Sequence, residues 1–255
     1  MISHDIITDN VNLKGEKMIS EKLHEKVYYY KNVVSDPKHL VSLIERTDSE
    51  NYSKFVTPWE EWGACSGEMY IYGQHKRIKY LKLDELLQKC PKDILEDAEY
   101  IFTQIFDGMK NVCLDYAEKV DEKSKLILMT DTAIKRYESG TFMGSHFDQQ
   151  EGDKRLKYSL VMYLNDDYEG GELSFSIKDG VLTSTEFAAA EELTDPRNKE
   201  RVTFSIKPEA GSVIIFPSEP PYSHTAHLVK SGFKYMVPSF WLNKGSFVDG
   251  VFVPE

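Results

Sequence analysis

The stretch Arg136-Tyr137-Glu138-Ser139-Gly140-Thr141-Phe142-Met143-Gly144-Ser145-His146-Phe147-Asp148 decides how this chain is read. A single residue separates His146 from Asp148, so on an extended strand both side chains project from one face. An imidazole nitrogen beside a carboxylate oxygen is two-thirds of a facial iron site, which keeps three coordination positions open. The pair alone is weak evidence, because His-x-Asp also arises as a surface histidine beside a solvated acid. A distant histidine has to complete the set, and His224 and His227 are the candidates.

The segment around those histidines discriminates between them. Lys234 follows His224 across Lys230-Ser231-Gly232, which reads as a three-residue hairpin loop with Gly232 in the left-handed conformation. In that register 229 pairs with 233 and 224 lies opposite 238. His224 and Lys234 then share a face, whereas His227, an odd number of residues from His224, points to the other. Parity selects His224; a two-residue loop would reverse the choice.

Outward from these motifs, the chain after Lys125 consists of short apolar or alternating runs bounded by turn residues: 126–137, 158–164, 172–177, 202–207, 212–217, 223–229 and 233–242. Upstream, residues 26–34 read as a strand, and Asp36-Pro37 opens a helix through Leu40, Leu43 and Ile44. Residues 51–75, with Trp59 and Trp62, read as a long ordered loop with short strands. Asp84 caps a short helix, and Pro91 starts a longer one whose stripe is Ile94, Ala98, Ile101, Ile105, Met109 and Val112. Helices followed by about seven short strands form an α+β pattern, and the close strand spacing points to a barrel or jelly roll. Residues 178–201 read as a charged surface excursion with a short helix. Residues 1–24 form a polar lead-in, and 25–255 read as one domain because no linker composition divides them.

Composition narrows the function classes. The 255 residues are 41% hydrophobic and 12% aromatic, enough for a real core, and the net charge is −11. That balance argues against a nucleic-acid partner, which needs clustered Lys and Arg. No apolar run approaches the ~20 residues of a membrane span, and the N-terminus carries no apolar leader segment. Cys65, Cys90 and Cys113 are too few and too scattered for a disulfide framework or a zinc ribbon. Together these features predict a cytoplasmic protein with no membrane partner.

Further motifs extend the pattern: Tyr163-Leu164-Asn165-Asp166, then Gly170-Gly171-Glu172-Leu173-Ser174-Phe175, then Pro208-x-x-Gly211 and Ile214-Ile215-Phe216-Pro217-Ser218. With Arg-Tyr-x-x-Gly before His146-x-Asp148, and His224 and Lys234 after them, residues 130–242 resemble the iron(II)- and 2-oxoglutarate-dependent dioxygenases, most closely the prolyl 4-hydroxylase-like branch. The resemblance implies a double-stranded β-helix, with His146, Asp148 and His224 as the iron ligands. It implies that Lys234 pairs with the distal carboxylate of 2-oxoglutarate and that Tyr137 and Tyr163 contact the same cosubstrate; Arg155 is the competing cation if Lys234 does not serve. Oxygen is the second cosubstrate, and ascorbate is the expected reductant. One position departs from the branch: Phe240 stands where a tryptophan is usual, and Trp241 comes one residue later.

The expected reaction is hydroxylation of an aliphatic C–H bond with release of succinate and carbon dioxide. Asp148 favours this outcome, since related halogenases carry a small residue there. A peptidyl proline is the leading substrate class, and a free amino acid or other small metabolite is the alternative. The Trp59–Tyr72 segment and residues 178–201 are the expected substrate contacts. The lack of arginines in 234–243 counts against a nucleic-acid demethylase. A cupin-like metal-binding protein without dioxygenase activity is the competing class.

Overall fold

Asp36 ends the extended run before it by capping α1 (Pro37–Arg46), its Oδ1 accepting from the His39 N–H at 3.0 Å. The structure, a computed structural model, describes residues 17–46, 60–62, 78–82, 87–88, 92, 94–124, 126–128, 133–149, 154–177, 202–248 and 251–254. Its upstream strands are β1 (Ile19–His24), β2 (Val27–Lys31), β3 (Glu60–Trp62) and β4 (Ile78–Lys82). The long helix α2 (Leu95–Lys119) follows. Next come β5 (Leu126–Leu128), β6 (Ala133–Glu138), β7 (Met143–His146), β8 (Leu156–Tyr163), β9 (Glu169–Gly170) and β10 (Leu173–Ser176). The last seven strands are β11 (Phe204–Ile206), β12 (Ser212–Pro217), β13 (Ser223–Ala226), β14 (Val229–Ser231), β15 (Phe233–Asn243), β16 (Gly245–Val248) and β17 (Val251–Pro254).

Nine strands form the major sheet, in the order β1-β2-β12-β8-β15-β6-β4-β3 with β5 beside β15. Four form a minor sheet, β11-β10-β13-β7. The central strands alternate strictly. Leu160, Met162, Val213, Ile215, Tyr235 and Val237 pack toward Leu40, Ile44, Ile101, Ile105 and Met109 of the helices. Their neighbours Val161, Tyr163, Ile214, Phe216 and Met236 pack against Met143, Leu173, Phe175 and Ala226 of the minor sheet. Both faces of the major sheet are thus covered, which is why Leu160–Leu164 and Val213–Phe216 read as continuous apolar runs rather than as alternation. Fully burying one such side chain is worth roughly 1.5–3 kcal/mol, so these two layers dominate the stability. Gly108 lets α2 approach this sheet: a Cβ there would fall 2.9 Å from Val33 Cγ1 and 3.0 Å from Met162 Cε.

Two facing antiparallel sheets, with helices behind the larger one, form a double-stranded β-helix in an α+β frame. Several local expectations change. The run 126–137 is two strands, β5 and β6, rather than one. The tail of the polar lead-in is the edge strand β1, whose exposed Glu21 and Lys22 suit an unpaired edge. The stripe of α2 is buried as expected, but the helix begins at Leu95. Trp59, most of 51–75, Asp84, Pro91, 178–201, Cys65 and Cys90 lie outside the described residues. Cys113 is buried in α2, and burial pushes its thiol well above the ordinary range, so it is a packing residue.

Candidate active site

β7 and β13 are neighbours in the minor sheet, and their register places His146 directly opposite His224. The ring centroids are 4.3 Å apart. Asp148 lies two residues beyond the end of β7, so it is not on the strand with His146 as the parity argument assumed; the turn nevertheless returns it to the same point. His146 Nε2 is 3.6 Å from Asp148 Oδ1, and His224 Nε2 is 3.6 Å from Asp148 Oδ2. Each ring is oriented from behind. His146 Nδ1 bonds the Gly144 carbonyl at 2.8 Å, and His224 Nδ1 bonds the Tyr222 carbonyl at 3.3 Å. A carbonyl only accepts, so both Nδ1 atoms carry the proton and both Nε2 lone pairs face the carboxylate.

The donor set fits a divalent metal. Ligands about 2.1 Å from a shared ion sit roughly 3–3.5 Å from one another, close to the spacing found here. Among the described residues this is the one group of three such side chains whose ligand atoms converge, all within 4.8 Å. Burial alone would raise the Asp148 carboxyl, but the adjacent His224 and His146 outweigh it and hold the group well below the usual carboxylate range. Burial, helped by His146 and partly offset by Asp148, lowers His224 to about 4, so its imidazole is neutral at physiological pH. Phe216 and Phe175 wall that ring on the barrel side, with centroids at 4.7 and 5.8 Å.

The hairpin expected between His224 and Lys234 does not form. β13 pairs with β7 and β10, β14 pairs with β9, and β15 pairs with β6 and β8, so 224 and 238 are in different sheets. Gly232 does adopt the left-handed conformation, at φ +81. His224 and Lys234 still reach the same barrel interior, because the two sheets face each other. His227 lies beyond the end of β13, buried, with Nε2 2.7 Å from Ser174 Oγ. Among the described residues it joins no metal-ligand cluster.

Lys234 is 0% exposed, and its Nζ donates to the Gly171 carbonyl at 2.7 Å. The rings of Tyr163, Tyr137 and Tyr168 surround the ammonium at 5.1, 5.6 and 5.8 Å. Gly171, at φ +66, permits this arrangement: a Cβ there would lie 2.8 Å from Tyr168 Cε2 and 3.3 Å from Lys234 Cδ. Burial, helped by the Lys207 charge and partly offset by Glu172, lowers the Lys234 ammonium to about 7. Burial raises both Tyr137 and Tyr163, which therefore remain protonated hydrogen-bond donors.

A cavity of about 290 Å³ joins these groups, with Tyr137, Tyr163, His146, Asp148 and His224 in its wall. Phe240 lines it too. Trp241 faces the helical side, 5.9 Å from the Tyr158 ring, and the register shift in β15 comes after it, so no bulge turns the tryptophan inward. Arg155 is exposed ahead of β8. The lysine in the cavity wall is instead Lys135, which the sequence reading missed. Its signal was available, since Lys135 stands two residues before Tyr137 and shares its face on any strand.

Residues 132–243 match the 2OG-Fe(II) oxygenase superfamily. Among solved structures, a Pseudomonas putida prolyl-4-hydroxylase aligns over 82% of this chain and 87% of its own, at 16% identity and a TM-score of 0.51. The Trichoplax adhaerens prolyl hydroxylase, in complex with a hypoxia inducible factor peptide fragment, aligns over 85% and 83%, at 13% identity and 0.52. SnoK, a non-heme alpha-ketoglutarate-dependent carbocyclase from nogalamycin biosynthesis, aligns over 89% and 83%, at 15% identity and 0.54. A comparison with curated proteins finds no match. At these identities the structural likeness speaks for the fold. The matched segment contains the whole constellation of Tyr137, His146, Asp148, Tyr163, His224 and Lys234. Residues 132–243 are a 2OG-Fe(II) oxygenase domain, and the fold around them is prolyl 4-hydroxylase-like in architecture.

Proposed function

We propose that the enzyme hydroxylates an aliphatic C–H bond, with His146, Asp148 and His224 holding iron(II) and with Lys234, Tyr137 and Tyr163 holding 2-oxoglutarate. The observation that carries this reading is the convergence of two carbonyl-oriented Nε2 atoms on one carboxylate, in the wall of a cavity that also reaches Tyr137 and Tyr163. Bound iron(II) with 2-oxoglutarate supplies oxygen activation, with one oxygen atom going to the substrate and the other to succinate. The protein's own part is positional. Asp148, kept ionised by its histidine neighbours, presents both oxygens toward the imidazoles. Lys234 waits behind the tyrosines as a point charge for a carboxylate, and the tyrosine hydroxyls orient that carboxylate as donors. The apolar walls Val161, Met236 and Phe240 keep bulk water from the reacting centre.

The substrate class proposed from the family resemblance is a prolyl residue. The cavity volume favours a second reading, since about 290 Å³ must hold the cosubstrate and leaves room for a small molecule or a single side chain. Iron-loaded protein, 2-oxoglutarate and ascorbate incubated with prolyl peptides and with free amino acids, followed for succinate and product mass, separates the two. A gain of about 16 mass units on proline within a peptide, the increment of one inserted oxygen atom, supports the prolyl reading. Modification of free amino acids alone overturns it in favour of the small-molecule reading.

A further inference from the structure

On β6 the pleat sends Ile134 and Arg136 outward and Lys135 and Tyr137 into the barrel. Tyr137 is level with Lys234 on the neighbouring strand, and Lys135 is level with Met236, one inward-facing step farther along β15. The two lysines therefore occupy successive levels. Lys234 is fully buried behind tyrosine rings, whereas Lys135 retains partial exposure and lines the same cavity as the metal triad and Phe240. The Asp148 carboxylate is near enough to stabilise the Lys135 charge, although burial prevails and lowers the ammonium to about 8. It is mostly protonated at neutral pH, and an entering anion would favour that form further.

Both charged ends of 2-oxoglutarate already have partners in the reading above, one at Lys234 and one at the metal. A cation at a separate level of the same cavity calls for a third carboxylate. We propose that Lys135 receives a carboxylate of the substrate, which makes the substrate a small carboxylic acid, such as a free amino acid, rather than a residue within a peptide chain. This rests on the dioxygenase reading and deepens it. An ammonium offers three donors, so a carboxylate adds to the contacts Lys135 already makes. A peptide carbonyl in the same place would bring no charge of its own to the ammonium. Discrimination between an acid and its amide is therefore large in a cavity of low dielectric.

The test uses the whole protein loaded with Mn(II), a paramagnetic divalent stand-in for iron, together with 2-oxoglutarate. The twenty amino acids and a set of short monocarboxylates are offered, each beside its primary amide, and metal-induced relaxation of ligand protons is read by NMR. At least one acid should show saturable relaxation, with its amide at least tenfold weaker. Lys135→Met should abolish that preference and Lys135→Arg should retain part of it, while relaxation of 2-oxoglutarate in the same tube reports a folded site. Equal relaxation of acids and amides, no acid binding, or an undiminished preference in Lys135→Met would overturn the carboxylate site alone. Failure of Mn(II) to relax 2-oxoglutarate in the wild type would overturn the metal-site reading, and this proposal with it.

Discussion

Replacing Lys234 with methionine keeps most of the apolar stem and removes the charge, so it isolates the cosubstrate anchor from the metal. A charge-assisted hydrogen bond contributes roughly 1.5–3 kcal/mol, and at about 1.4 kcal/mol per tenfold the apparent affinity for 2-oxoglutarate should fall by about ten- to a hundredfold or more. The burial of Lys234 adds a second signature. With its ammonium lowered to about 7, the free protein must take up a proton before the charge can meet a carboxylate. Above that point the uptake costs about 1.4 kcal/mol per pH unit. Wild-type affinity for 2-oxoglutarate should therefore decline up to tenfold per unit as pH rises above about 7, and Lys234→Met should lack this slope. Lys234→Arg should be milder but not neutral, since a planar fork approaches at another angle and its charge does not titrate. The assay is succinate release against 2-oxoglutarate concentration at several pH values, with iron content measured in each preparation. An unchanged 2-oxoglutarate requirement and an unchanged pH slope in Lys234→Met would refute the anchor and move it to Lys135.

His224→Ala should lose iron and reduce succinate formation at least a hundredfold, an effect of several kcal/mol, whereas His227→Ala should retain most of both; metal analysis beside turnover checks this, and the reverse pattern contradicts the ligand assignment. Trp241→Ala should cost roughly 1–3 kcal/mol of stability by removing a half-buried ring from the helical face, with little change in the 2-oxoglutarate requirement. Phe240→Ala should instead raise the KM for the oxidised substrate, because Phe240 lines the cavity. Lys234 also makes stability depend on pH. Its folded pKa, about 7, lies below the ordinary 10.5, so between those values the unfolded chain binds the extra proton. Wild type should gain stability relative to Lys234→Met as pH rises through that window, by a few kcal/mol at most. Denaturant melts of the two proteins across that range would show it, and a constant difference would contradict it.

The parts of this site that were legible in the sequence are those governed by strand parity and local chemistry. The apolar stripe of α2 is buried because it depends only on which face a residue takes, and His146 and Asp148 converge because they are close in sequence, through a turn rather than a shared strand. Strand partnership was not legible. In a double-stranded β-helix consecutive strands switch sheets, so β13 and β15 pair with strands far away in sequence and the local hairpin rule fails. His224 and Lys234 reach the same barrel interior for a different reason, the facing of two sheets. The departure at Phe240 and Trp241 was a matter of sequence spacing, and the pleat of β15 explains it: 234, 236, 238 and 240 fall on one face. Lys135 was not legible from the motif, which begins one residue later at Arg136, although the same alternation that places Tyr137 places Lys135.

The most direct test of the account is an electron-density map of the protein crystallised with Mn(II) and 2-oxoglutarate. The account predicts an ion bound by His146 Nε2, an Asp148 carboxylate oxygen and His224 Nε2, with the distal carboxylate of the cosubstrate on Lys234. An ion held by other side chains, or a cosubstrate carboxylate on Lys135 with Lys234 still bonded only to the Gly171 carbonyl, would contradict it.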